Sequence, residues 1–272
     1  MNSYSNHSPN PLLTIVTIVL NDPIGLRRTR SSLQAQSERN FQWIVVDGGS
    51  APPTNDVLEK IDAGGEALIF RGVDKGPYDG MNKGAKEAIS DWIIFLNSGD
   101  ELCDSNTILK IRPFLSDPDT SILYGNYERI ALDGNATIKP ARGLSVLRYS
   151  MPFCHQSVLT RRQTVWSRPF EQSIAADWRF FNDCFYGGVR FRKAELCIAR
   201  FHAGGMSDKY WIASWLDRVR HLKARDRLSV AIVLFLALNL CKHLCSQVSG
   251  IVKTTLNGIW IKAQELVDAN RA

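Results

Sequence analysis

Four apolar runs rich in β-branched residues recur along the first hundred positions, and each ends against a polar residue. They are "LLTIVTIVL" (12–20) before Asn21, "FQWIVVD" (41–47) ending in Asp47, "ALIFRG" (67–72) before Asp74, and "DWIIFL" running into "NSGD" at Asp100. Runs that are apolar on both faces suit strands buried inside a parallel sheet. Helical patterns separate them. One opens at Asp22, a side-chain N-cap followed by Pro23 at the first helical position, and runs to about Gln36. A second covers 54–63 and a third 81–89, starting near Asp79, with "GGSAPPT" and "DKGPYDG" read as loops. The resulting βαβαβαβ alternation predicts a mainly parallel, mixed α/β sheet with helices on both faces. In such sheets ligands bind outside the carboxyl ends of the strands, which puts Asn21, Asp47, Asp74 and Asp100 on one rim. Each alone reads as a cap or a turn former; four on one edge point to a site.

Beyond residue 104 the pattern is mixed. A helix over about 104–116 leads to a hairpin around "LDGN", then a helix through "AADWRFFNDCFY" (175–186) and two short strands in "VRFRKAELCIARF" (189–201). "HAGGMS" breaks the pattern and the remainder reads as helical. The formal charge of +6 is unevenly placed: residues 1–208 hold 23 Lys and Arg against 23 Asp and Glu, residues 209–272 hold 10 against 4. A neutral body with a basic tail argues against a generic nucleic-acid binder, which would carry its basic face on the folded domain. The six cysteines are scattered without a CxxC pair and read as reduced thiols of a cytosolic protein. The N-terminus is polar, with no basic stretch leading into an apolar core, so residues 1–11 are expected to be disordered and no secretion signal is expected.

"TIVTIVLND", "WIVVDGGS", "DKGPYDGMNKGAKEAISDWIIFLNSGDEL", "FCHQSVLTRR" and "IAADWRFF" occur in this order and at these spacings. The set resembles family 2 glycosyltransferases of the GT-A fold, over about residues 12–207, and looks nearest to the bacterial branch that builds capsule, exopolysaccharide or lipid-linked glycans, including the colanic acid enzymes. The resemblance implies a nucleotide-sugar donor, with its base and ribose near Thr17, Val19 and Asn21 and near Asp47, Gly48 and Ser50. A carboxylate such as Asp47 accepts hydrogen bonds from base N–H or ribose hydroxyl groups, and glycines permit close backbone approach. Asp74, Gly76, Asp79, Asn82 and Lys83 would line the same pocket, although Asp79 also reads as a helix cap and Lys83 as a solvated side chain.

"LNSGD" stands where the family carries its DxD metal motif. Here Asn97, Ser98 and Gly99 occupy that stretch and Asp100 is its one carboxylate. A Mg²⁺ or Mn²⁺ ion on Asp100, completed by phosphate oxygens, is the implied cofactor, with weaker affinity than a full DxD would give. Asp177 falls at the position of the catalytic base, with Ala176 in place of the acidic partner of the family's ED-type pair. His155, of the "CHQS" stretch, would position acceptor or sugar, or be a buried structural histidine. His202, in "FHAGGMS", belongs to a segment that would close over the diphosphate, or to a plain turn. Cys154 beside His155 is disfavoured as a nucleophile, since no covalent step is needed.

The stretch "LSVAIVLFLALNLC" (228–241) is uncharged, has basic flanks, and is too short to span a bilayer. It suits the anionic surface of the inner face of the cell membrane, with docking on the catalytic domain or on a second copy as competing readings. The resulting expectation is an inverting transferase that moves a sugar from a nucleotide-diphosphate donor, a UDP-sugar foremost, to a hydroxyl of a growing, polyprenyl-linked glycan in cell-surface polysaccharide biosynthesis. A non-catalytic nucleotide-sugar binder and a nucleotidyltransferase are the rivals. The second is disfavoured because no Gly-rich basic triphosphate loop follows the first strand, and the lack of GxGxxG there disfavours a redox Rossmann enzyme.

Overall fold

The computed structural model describes residues 10–204 and 210–230, together with 232, 233, 235 and 237. The expectation for 1–9, the far end of the "HAGGMS" segment and most of the apolar tail lie outside the described residues.

The first half follows the alternation read from the sequence. Strands β1 (Leu13–Val19), β2 (Phe41–Asp47), β3 (Leu68–Arg71) and β4 (Trp92–Phe95) are joined by helices α1 (Pro23–Gln34), α2 (Pro52–Ala63) and α3 (Pro77–Lys86). β3, β2, β1 and β4 lie side by side and parallel, in that order. Side chains alternate across β1: Leu13, Ile15 and Val19 enter the core on one face, Val16 and Ile18 the core on the other. Two helices start earlier than expected, α2 at Pro52 and α3 at Pro77. The prolines taken as loop residues occupy the first helical turn, where a missing N–H costs nothing and φ is already helical.

The second half turns the sheet around. After β5 (Glu101–Leu102) and α4 (Thr107–Leu115) come β6 (Ile122–Ile130), β7 (Ala136–Lys139), β8 (Val158–Arg161), α5 (Arg162–Ser167), α6 (Ala176–Tyr186), β9 (Phe191–His202) and α7 (Trp211–Ala224). The sheet order is β3-β2-β1-β4-β8-β6-β9-β5, with β7 paired to β6; β8 is antiparallel to both β4 and β6. The two short strands expected over 189–201 are one strand, β9. A bulge opposite Gly125 and Asn126 absorbs the break in alternation without ending the pairing.

β5 and β9 are further joined by a disulfide between Cys103 and Cys197, 94 positions apart. This corrects the expectation of reduced thiols for that pair. The two residues meet because β9 crosses the molecule to lie against β5, which cysteine spacing does not reveal. Cys154 and Cys184 are free.

The described part of the tail docks on the domain. Leu222, Ile232 and Phe235 are buried in the core beneath β6 and α6, and the Phe235 ring lies 4.2 Å from that of Tyr149. Arg225 and Arg227 bond to Asp183 of α6 at 2.9 and 2.6 Å, and His221 reaches the same carboxylate at 3.2 Å. Part of the tail's positive charge is therefore spent inside the chain. Among the described residues no helix is long and apolar enough to cross a membrane.

Candidate active site

The rim is built by short turns at the ends of β1, β2 and β4. Asn21, in the left-handed region at φ 52°, ends β1. Its Oδ1 accepts the Ala51 N–H at 2.7 Å, and its own N–H donates to Ser50 Oγ at 2.9 Å. Asp47 is buried and accepts the Ser50 N–H at 3.0 Å. Gly48 lies so close to Asp74 that a Cβ there would stand 2.8 Å from a carboxylate oxygen. That close approach brings Asp47 and Asp74 to one corner. Asp74 accepts the N–H of Gly76, which caps α3, at 3.0 Å. At the end of β4, Gly99 takes a φ of 95°, closed to most side chains, and swings Asp100 beneath the rim. Ser98 donates to Asp22 Oδ2 at 2.9 Å, tying this turn to the start of α1.

Several residues expected in the pocket are instead occupied elsewhere. Thr17 is fully buried; its hydroxyl donates to the Leu96 carbonyl at 2.8 Å and accepts the Trp43 indole N–H at 3.0 Å, so it braces the sheet. The Val19 side chain is in the core. Asn82 holds both backbone groups of Phe170, at 2.8 and 2.9 Å, which leaves its amide no reach toward a phosphate. Lys83 pairs with Asp79 at 3.0 Å and donates to the Val73 carbonyl, and Asp79 also accepts the Lys75 N–H. These two fasten the 73–79 loop. Asp79 is not the cap of α3; Gly76 is.

The opposite wall comes from segments remote in sequence. A 3₁₀ turn, His155–Ser157, precedes β8 and inserts between the rim and α6. His155 Nε2 lies 3.2 Å from Asn97 Nδ2, and its Nδ1 lies 3.6 Å from Asp177 Oδ2. The next residue, Gln156, donates to Asp100 Oδ2 at 2.7 Å. Asp177 sits in the first turn of α6 and accepts its neighbour's Trp178 N–H at 2.7 Å. Tyr78, at the start of α3, is buried near Asp177, and burial together with that charge raises its phenol well above the usual range. Burial pushes the Asp177 carboxyl up, but the hydrogen bond and charge of His155, the charge of Arg218 and the Trp178 N–H outweigh it. The group ends below the usual carboxylate range.

Asp100 has the opposite balance. Burial dominates, against hydrogen bonds from Gln156 and the His202 backbone, and raises it to about 7. Asn97 Oδ1 is sealed from solvent with no hydrogen-bond partner among the described residues. Asp100 and this orphaned carbonyl oxygen are the hard oxygen donors of the corner. Among the described residues no group of three His, Cys, Asp or Glu side chains stands ready to hold a cation. The two oxygens fit Mg²⁺ or Mn²⁺ only with phosphate oxygens as further ligands. His202 pairs with Glu101 at 3.1 Å, so its ring is held beside Asp100 by a carboxylate that the sequence reading passed over. Burial drives the Cys154 thiol far above its usual range, which removes it as a nucleophile.

Tyr78, Gln156, Glu101 and Arg218 were not singled out from the sequence. Tyr78 and Glu101 lie inside "DKGPYDG" and "NSGDEL", and their nearness to marked residues was the available signal. Arg218 had none. A cavity of about 510 Å³ lies elsewhere, between α6 and the end of α7. Arg179, Arg225 and Arg227 in its lining are paired with Glu171 and Asp183, which makes it a joint of the fold.

The model of the family described as "Glycosyl transferase family 2" matches residues 14–192. A "PGL/p-HBAD biosynthesis glycosyltransferase" of Mycobacterium bovis is 28% identical over 234 residues, covering 83% of this chain and 90% of its own. An uncharacterized glycosyltransferase of Haemophilus influenzae is 28% identical over 181 residues, covering 64% and 72%. Among solved structures, S. aureus TarS 1-349 with UDP-GlcNAc superposes at a TM-score of 0.61 and 16% identity, covering 94% of this chain and 83% of that one. The mannosyltransferase PcManGT of Pyrobaculum calidifontis, with GDP-Man and Mn²⁺, reaches 0.61 at 12% identity, covering 97% and 89%. The mixed sheet flanked by helices is thus the GT-A fold, and with the family model matching most of its length the chain belongs to glycosyl transferase family 2.

Proposed function

We propose that the protein is an inverting glycosyltransferase that moves a sugar from a nucleoside-diphosphate donor, a UDP-sugar foremost, to a hydroxyl of a growing lipid-linked glycan of the cell surface. The observation that carries this reading is the pair His155–Asp177, which presents an ionised carboxylate across the cleft from the acidic rim of β2 and β4. In the rim, Asp47, Asp74 and the backbone of Gly48 suit the base and ribose, with Asn21 and Ser50 shaping the same turn.

An inverting transfer needs a base on the face of the sugar away from the leaving group. Asp177 takes the acceptor hydroxyl's proton while that oxygen forms its bond to C1, and the C1–O bond to the diphosphate breaks on the other side. A carboxylate below the usual range is a weak base toward an alcohol. It receives the proton only as the hydroxyl acidifies during bond formation, so its value lies in being ionised and fixed. His155 and the Trp178 N–H fix it. Asp100 and Asn97 Oδ1 would hold a divalent cation, which when bound offsets the charge of the departing diphosphate.

Peripheral association with the inner face of the membrane is part of the proposal, supported by the exposed Val230 and Val233 and the exposed Arg220 and Lys223 of the described tail. The test is a nucleotide-sugar panel scored for binding and slow hydrolysis, with and without Mn²⁺ and EDTA. Asp177→Asn should abolish hydrolysis and transfer while the preferred donor still binds; a variant that turns over like wild type refutes the assignment.

A further inference from the structure

Helix α7 brings to the active centre a cation that no motif residue supplies. Arg218 lies mid-helix with its guanidinium carbon 5.7 Å from the centre of the Trp178 ring, and Trp178 is the residue next to Asp177. The carboxylates whose charge reaches it are Asp177 and Asp217. Its Nε is sealed from solvent, and among the described residues the guanidinium makes no hydrogen bond or close ion pair. The adjacent Asp217 is spent on Arg179 and on the Ala175 N–H, and Asp177 on His155 and the Trp178 N–H. Other arginines on these helices are satisfied: Arg225 and Arg227 bond to Asp183, and Arg179 to Glu171.

A second guanidinium shares this condition. The Trp178 indole donates to the Leu147 carbonyl at 3.1 Å, and the next residue, Arg148, also has a sealed Nε with no partner. Two partly dehydrated cations without hydrogen-bond partners thus stand on the two segments that pack against Trp178. Leaving such groups unpaired is costly, and an Arg fork matches phosphate oxygens bidentately. In the proposed reading the donor's phosphates lie at the Asp100 corner, on the other side of His155 from Arg218. The His155 ring stands between Asn97 on the Asp100 side and Asp177 on the Arg218 side.

We propose that Arg218 forms a second phosphate-binding subsite next to Asp177, and that the acceptor carries a phosphate or diphosphate near its reacting hydroxyl. This deepens the reading of Asp177 as the base and rests on it. A phosphate group offsets the Arg218 guanidinium where a neutral sugar would not.

The test uses the full chain, its donor pocket filled by the nucleoside diphosphate that binds best in the donor screen. Geranyl diphosphate, inorganic pyrophosphate and geraniol are titrated calorimetrically. Geranyl diphosphate should bind the wild type, weaken at least about tenfold in Arg218→Met, and bind Asp177→Asn as well as wild type. Geraniol should not bind. If the Met variant melts early, Arg218→Gln carries the same expectation. Pyrophosphate binding as tightly as the geranyl ester marks free phosphate as the ligand, and tighter binding of the ester marks a lipid; both support the subsite provided Arg218 is needed. Undiminished binding to both Arg218 variants, or no phosphate binding to wild type, overturns it. Turnover by Asp177→Asn would instead refute the base assignment and leave the binding result standing.

Discussion

The two walls of the cleft are made in different ways. The rim of β1, β2 and β4 rests largely on hydrogen bonds within single turns, as Asp47 with Ser50 and Asp74 with Gly76, with Asn21–Ala51 and Ser98–Asp22 linking one turn to the next. The facing wall is assembled from His155, Asp177 and Arg218, on three separate elements, and its contacts run back to Asn97 and Asp100. A wall of local turns tolerates the loss of one bond, because neighbouring backbone holds the shape. A wall of long-range contacts does not. Substitutions should therefore act sharply on chemistry in the second wall and at the Asp100 corner that it contacts, and more gently, on stability or binding, in the turns of β1 and β2.

The largest effect is expected from Asp177→Asn, which should lower turnover by roughly 10²–10⁴-fold with donor affinity by calorimetry within a few-fold of wild type. Equal losses of binding and turnover would show that the two walls are not separable. Next comes Asp100→Ala, which should lower turnover by at least about tenfold, measured against wild type in Mn²⁺ and in EDTA. If the variant and EDTA each leave the rate unchanged, the metal corner is misassigned. Asn82→Ala removes both bonds to the Phe170 backbone inside the protein and should cost about 1–3 kcal/mol in urea unfolding.

Asp183→Asn is a pH test of the joint between α6 and α7. Burial raises the Asp183 carboxyl, but His221, Arg227 and Arg225 bring it down to about 2, below its unfolded value near 3.8. A depressed carboxyl stabilises above the unfolded pKa, and that contribution is lost as pH falls toward 2. Wild type should therefore exceed the variant by about 2 kcal/mol at pH 7, the gap closing between about pH 4 and pH 2. A gap independent of pH would mean the ion pairs are not its source. The smallest effect belongs to Lys83→Met in the first wall. Its Asp79 pair is exposed and should be worth under about 1 kcal/mol, with turnover little changed.

The same contrast explains what was legible in the sequence. The parallel half could be read because each strand, turn and helix announces itself within a dozen residues, and Asp47, Asp74 and Asp100 fall where such turns end. Thr17 and Val19 were misjudged because nearness to a strand end does not tell which face a side chain takes, and both face the core. Asp177 was reached only through resemblance; nothing local distinguishes it from a first-turn aspartate. The positions of Gln156 and Arg218, and the Cys103–Cys197 bond, depend on where β8, α7 and β9 cross the molecule. No period or spacing encodes those crossings.

The Asn82 clasp has a consequence for recombination between relatives. One amide joins α3, on the rim side, to the segment that leads into α6 and the base. A chimaera spliced near residue 104 would take its nucleotide preference from one parent and its acceptor side from the other, and this contact crosses the splice together with His155–Asn97 and Gln156–Asp100. Parents with an asparagine at position 82 are the pairs to recombine first.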